Sequence, residues 1–160
     1  MTVADATPLI ALARIDAFDL LRTVLHKVVI PPAVFTEVVT KGAGRPGERE
    51  TLTGIVDGWI RQLRPTVLIR QPYRGMHRGE IEVLSLAKYL STQILTDEFR
   101  ARERAEVEHI PWIGTLDLIR LAKASGQIRA ARPLIEALRV AGFWMDDKLY
   151  QRVLEQLGEE

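Results

Sequence analysis

The sequence predicts an α/β fold, a parallel sheet covered by helices on both faces. Three observations carry that reading. Short apolar runs recur, and several are rich in β-branched residues. Prolines or acids stop them. Between them lie longer segments whose apolar residues fall at helical spacing. Strands that alternate with helices pair in parallel, because a parallel neighbour requires a crossover long enough to hold a helix.

Met1 to Ala4 reads as a short buried strand ending at Asp5. Pro8 suits the first turn of a helix, where its missing N–H goes unused. Asp16 is placed to cap a second helix running to about Val24. Lys27 to Ile30 is a strand stopped by Pro31 and Pro32, and Ala33 to Thr40 is a helix carrying Glu37. The run KGAGRPGERE is an exposed loop, rich in glycine and charge. A helix follows over Glu48 to Asp57. Trp59 to Leu63 and Val67 to Ile69 read as extended pieces around Pro65.

Gly79 to Leu90 places Ile81, Leu84 and Ala87 on one helical face. Gln93 to Thr96 is a strand that stops at Asp97 and Glu98. Phe99 to Val107 is a charged helix, and His109 to Ile113 a last strand. Thr115 is placed to cap the helix Leu116 to Ala124. Pro133 to Val140 and Asp146 to Leu157 are helical. The whole chain, 1–160, is expected to form one domain, with a core over about 1–125 and a C-terminal helical extension over about 126–160.

The totals exclude several classes. The chain has no cysteine, hence neither disulfides nor a thiolate zinc site. His26, His77 and His109 lack ligand spacing. No basic leader precedes the first apolar stretch, and no apolar run approaches the roughly 20 residues of a membrane span, so the expected location is the cytoplasm. A net charge of +1 neither demands nor excludes a polyanionic partner. There is no GxGxxG, no P-loop and no DxDx(T/V) phosphatase start.

The acids at strand ends are the informative residues. Ligand sites of parallel sheets form beyond the carboxyl ends of the strands, and Asp5, Asp97 and Glu98 stand at two such ends. Glu37 and Glu80 lie on helices that follow strand or loop segments. Clustered carboxylates repel one another unless cations or protons offset them. Hard divalent cations such as Mg²⁺ take oxygen ligands, and such a site activates water and stabilises charge on a phosphoryl group. Each acid also has a structural reading: Asp5 as a turn or helix cap, Glu37 as a solvated helix face, Glu80 as an acid favoured at a helix N-terminus, Asp97 or Glu98 as a cap. Glu82, two residues beyond Glu80, reads as surface.

The stretches DATPLIALARI, IPPAVFTEVV, RGEIEVLSLA, ILTDEFRARERAE, IPWIGTLDLIRLAKASGQI and FWMDDKLYQRVLEQLGE span nearly the whole chain. In their order and spacing the chain resembles the PIN-domain family of metal-dependent nucleases, and within it VapC-like toxins and a subfamily with extra C-terminal helices. The resemblance implies a three-layer α/β/α sandwich with a central parallel sheet of about five strands. It implies one or two Mg²⁺ or Mn²⁺ ions at the strand ends, and hydrolysis of RNA phosphodiester bonds. Carried over, the family acids correspond to Asp5, Glu37, Glu80 and either Asp97 or Glu98. The family's common T-x-D pattern places the fourth acid at Glu98, while the nearer subfamily has two adjacent aspartates there. Asp5, Glu80 and the Asp97–Glu98 pair would hold metal, and Thr7 would support a ligand or water. Asp117 stands where the subfamily more often has glycine, and reads as an extra acid or as helix surface. Such toxins are held in check by a small antitoxin protein.

Arg61 to Gly79 holds five arginines and no acid; it reads equally as a phosphate contact, with Tyr73 available to stack on a base, and as a solvated loop whose charges offset acids elsewhere. Arg74, Arg78 and Arg102 are the candidate RNA contacts; Arg102 alternatively pairs with Glu98 or Glu106. Trp59, Trp112 and Trp144 read as core or interface. The segment Phe143 to Met145 reads as ordinary helix packing, a homodimer surface or an antitoxin surface. Glutamates in two acid positions support an alternative, a degenerate PIN-like module that binds RNA or protein without cutting.

Overall fold

The computed structural model describes all residues, 1–160. Five short strands, β1 (Thr2–Ala4), β2 (Val28–Ile30), β3 (Ile60–Gln62), β4 (Gln93–Leu95) and β5 (Trp112–Ile113), form one all-parallel sheet in the order β3-β2-β1-β4-β5. Val3 stands opposite Val29 on one side and Ile94 on the other. β1 and β2 are buried along their whole length, as the unbroken apolar runs require in a sheet covered on both faces.

The helices are α1 (Ala6–Arg14), α2 (Asp19–Leu25), α3 (Pro32–Phe35), α4 (Glu48–Val56), α5 (Arg78–Leu90), α6 (Phe99–Val107), α7 (Thr115–Ala124), α8 (Arg132–Val140) and α9 (Asp147–Leu157). α5 packs on β1 and β4, with α3 and α6 against it. α2 packs on β2 and against α7, and α1 also contacts α7 and α8. The expected α/β sandwich with extra C-terminal helices is therefore present. The main apolar cluster includes Leu9, Leu12, Ile30, Leu84, Ile94 and Leu118. A second, around Ile119, Ile135, Leu138, Tyr150 and Leu154, joins α1 and α7 to the two C-terminal helices. Full burial of such side chains stabilises by about 1.5–3 kcal/mol each.

Several local expectations are corrected. Asp16 does not cap α2; it turns the chain in a left-handed conformation (φ 55°), and the helix starts after Phe18. Val67 to Ile69 forms no strand. Flanking Pro65 and Pro72 have no N–H for a ladder, and the Ile69 N–H donates instead to Ser85 Oγ at 2.9 Å. β5 is only two residues long, with His109 in a positive-φ turn before it (φ 57°). The cap of α7 is Gly114 rather than Thr115: the Asp117 carboxylate accepts from the Gly114 N–H at 2.8 Å, which accounts for Asp117 without a role as an extra site acid. The helix carrying Glu37 widens at Thr36–Thr40 into a π-helical turn, closed by Lys41 N–H donating to Thr36 O at 2.7 Å.

Candidate active site

The sheet order sets the position of the site. From β1 the chain builds outward through β2 to β3, then returns to the other side of β1 with β4. The order reverses between β1 and β4, and ligands of open α/β sheets bind in the crevice outside the strands at such a point. Asp5 ends β1 there, its N–H donating to Leu95 O of β4 at 2.9 Å.

Asp5 is 4% exposed. Its Oδ1 accepts from the Ala6 N–H at 2.8 Å, capping α1, and its Oδ2 accepts from the Thr96 hydroxyl at 3.1 Å. Capping and site roles, alternatives in the sequence, coincide in this one side chain. Thr96 in turn accepts from the Glu98 N–H at 3.2 Å, and Thr7 Oγ1 donates to Glu98 Oε1 at 3.3 Å. A buried threonine thus ties the ends of β1 and β4 into one unit. A hydroxyl at a strand end beside two acids was its visible signal.

Glu80 is buried in the first turn of α5, with Oε2 accepting from the His77 N–H at 3.0 Å. Asp5, Glu37, Glu80 and Glu98 all line one open cleft of about 720 Å³, along with Thr7, Lys41 and Arg78. Asp97 does not. It faces the other way, where its Oδ1 accepts from the Thr115 N–H at 2.8 Å and from Arg102 at 3.3 Å, and its Oδ2 accepts from the Thr115 hydroxyl at 2.5 Å.

Glu82 overturns its surface reading. It is buried, turned toward α3, and lines the same cleft as Glu80. Its Oε2 accepts from the Ala33 N–H at the start of α3 and its Oε1 from Arg78 Nε, both at 2.8 Å. Arg102 pairs with Asp97 rather than Glu98 or Glu106, and its guanidinium lies 4.6 Å from the Trp112 ring centre. Arg74 lines neither this cleft nor the neighbouring groove; its carbonyl accepts from Arg100. Tyr73 is covered by the Arg104 guanidinium at 5.3 Å, so that face is closed to a base.

Burial pushes the Asp5 carboxyl up to about 7, aided by the charges of Glu80 and Glu37 and opposed by its hydrogen bonds from Ala6 and Thr96. Burial also raises Glu80, with the nearby Glu98 charge adding to it, and raises Asp97 against its bonds from Thr115. No three acidic or imidazole side chains stand close enough together to hold a metal ion as they are. The donor set is nevertheless all oxygen, the chemistry of Mg²⁺ and Mn²⁺, and Mg²⁺ characteristically keeps several waters and takes only one or two carboxylates. Gly79 keeps the space between two acids open: a Cβ there would lie 3.8 Å from both Asp5 Oδ1 and Glu37 Oε2. Ala fits at that distance. Gly79→Ala is expected to stabilise the metal-free fold by about 0.5–1 kcal/mol, as Gly-to-Ala changes in helices do. Gly79→Leu would fill the gap and remove any rise in melting temperature with metal. A full metal response in Gly79→Leu would show that the gap holds no ion.

Over residues 1–159 the chain matches the family model DUF3368, described as a PIN domain. The chain belongs to the PIN-domain family. Its members are generally nucleases and typically use divalent metals. The fold is also similar to a solved PIN structure, a PilT N-terminus domain protein, SSO1118, from the hyperthermophilic archaeon Sulfolobus solfataricus P2. The TM-score is 0.54, with 13% identity over 74% of this chain and 90% of that one. No curated protein matches the chain. No helix of this PIN domain is long and apolar enough to cross a membrane.

Proposed function

We propose that this PIN domain is a Mg²⁺- or Mn²⁺-dependent ribonuclease that hydrolyses RNA phosphodiester bonds, acting in the cytoplasm as the toxin of a toxin–antitoxin pair. The supporting observation is the unit Asp5–Thr96–Glu98 at the sheet's reversal point, facing Glu37 and Glu80 across one cleft. Asp5 and Glu98 would hold the ion, with Glu80 and Glu37 holding it or its waters. When bound, the ion supplies a more acidic water and offsets charge building on the phosphate. The chain's own groups do the rest. Thr96 and Thr7 fix the two carboxylates through hydrogen bonds. Lys41, at the cleft wall and in no ion pair, attracts the phosphate toward the acids, and Arg78, its Nε held by Glu82, offers its remaining N–H groups beside it.

Cleavage of a fluorescent RNA with Mn²⁺ or Mg²⁺ tests this reading, and the paired variants sharpen it. Glu98→Gln is expected to slow cleavage by about a hundredfold or more. Asp97→Asn is expected to slow it less than tenfold, roughly, while lowering the melting temperature through its lost bonds to Thr115. The reverse order would put Asp97 at the ion. The wide spacing of the acids favours one second reading, a PIN module that binds RNA or protein without cutting. Retained RNA binding with no cleavage in either metal would support it.

A further inference from the structure

A groove leaves the acidic cleft and runs toward the C-terminal helices. Thr7 lines both the cleft and the next hollow, which Ile10, Arg14, Asp97, Phe143 and Trp144 also line. Asp97, Phe143 and Trp144 then continue into a third hollow bounded by Phe99, Arg120 and Arg152. Trp144 is 78% exposed and Phe99 72% exposed. The neighbouring Met145 is buried and anchors the loop between α8 and α9, so Trp144 is held outward by its own backbone. Phe99, Phe143 and Trp144 share one hollow, and exposed aromatics gathered beside polar groups mark a surface that something covers.

The charge beside these rings says what does. Arg14 and Arg152 are exposed and belong to no ion pair. The groove's two acids are already matched, Asp97 by Arg102 and Asp117 by Arg120. What remains is positive charge flanking exposed ring faces. Single-stranded nucleic acid is held by this combination, bases stacking on aromatics while cations follow the phosphates.

We propose that the groove past Trp144 is the track for a single RNA strand, with a base stacked on Trp144 and phosphates on Arg14 and Arg152. The proposal rests on the RNA-directed reading above, but places the strand on the C-terminal helices rather than on the arginine-rich Arg61–Gly79 segment. Of the two roles expected for Trp144, core or interface, its exposure excludes the first.

Binding of a fluorescein-labelled ten-nucleotide oligouridylate, in chelator so that nothing is cut, tests it by anisotropy. Trp144→Ala is expected to weaken binding about tenfold, with melting temperature unchanged. Arg152→Ala is expected to weaken it less and to flatten the slope of log affinity against log salt by about 0.7. Tyr89→Ala removes an exposed aromatic that lines neither the cleft nor the groove, and is expected to change nothing. Weakening by Trp144→Ala but not Tyr89→Ala supports the track whether or not the wild type cuts RNA in Mn²⁺. Cleavage separately decides the ribonuclease reading. Equal affinity in wild type and Trp144→Ala overturns the track. So does failure of the wild type to bind, or a change from dimer to monomer in Trp144→Ala without loss of affinity, which would assign the face to a second copy.

Discussion

Asp5→Asn is expected to abolish metal-dependent RNA cleavage and, without metal, to make the protein more stable at pH 8. The Asp5 carboxyl lies at about 7 in the fold against an ordinary 3.8. The folded state therefore holds this proton more tightly than the unfolded chain does. Stability is full below the unfolded value and is lost as pH rises through the window from 3.8 to about 7. Above it the cost is on the order of 4 kcal/mol, at 1.36 kcal/mol for each unit. Asparagine is neutral throughout and its Oδ1 still accepts from Ala6, so helix α1 keeps its cap. Urea unfolding between pH 4 and 8 should show a falling wild-type stability and a much flatter variant. Some slope remains from Glu80 and Asp97, whose carboxyls burial raises in the same direction. A variant less stable than wild type at pH 8 would mean that the capping carboxylate outweighs its own desolvation.

Arg104→Ala is expected to produce the largest stability loss outside the site. Arg104 is 8% exposed, and four of its five N–H donors are used. Nη1 donates to Gln71 O at 2.7 Å, Nη2 to Arg70 O at 2.6 Å, and Nε and Nη2 to Glu108 Oε1 at 3.0 and 2.7 Å. Truncation leaves two carbonyls and one oxygen of the part-buried Glu108 carboxylate unmatched, while Lys88 keeps the other, a loss of about 2–3 kcal/mol. Lysine restores the charge but not the planar fork, so Arg104→Lys should fall between. The same change frees the segment before Glu80, which should show as faster tryptic cutting at Arg70 and Arg74. A loss under about 1 kcal/mol in urea would mean that the segment is held by other contacts.

The strands were readable because parallel strands are buried on both faces and so appear as unbroken apolar runs, Val28 to Ile30 above all. The helices were readable from period and punctuation. What the sequence hid are partners from distant segments. Nothing in Thr96-Asp97-Glu98 says that Asp97 turns to Thr115 while Glu98 turns to Thr7; that depends on side chains 18 and 91 positions away. Glu82 looked solvated because its partner Ala33 lies 49 residues off. The arginine-rich stretch read equally as an RNA contact or as a solvated loop, and nothing in it says that Tyr73 is packed under Arg104. Trp144 read as core or interface, and its 78% exposure rules out core; exposure of a single tryptophan has no firm sequence signature. The acids were legible as a set because the family spacing placed them, and four of the five named do line one cleft.

The ribonuclease reading requires that this cleft hold a divalent ion at Asp5. Its most direct test is the melting temperature of wild type and Asp5→Asn, titrated with Mg²⁺ and Mn²⁺ at pH 8. An ion that binds only the folded state stabilises it by mass action, about 2.7 kcal/mol at a hundred times its dissociation constant. A saturable rise is expected in wild type and none in Asp5→Asn. No rise in wild type at millimolar metal, or an equal rise in both, would contradict it.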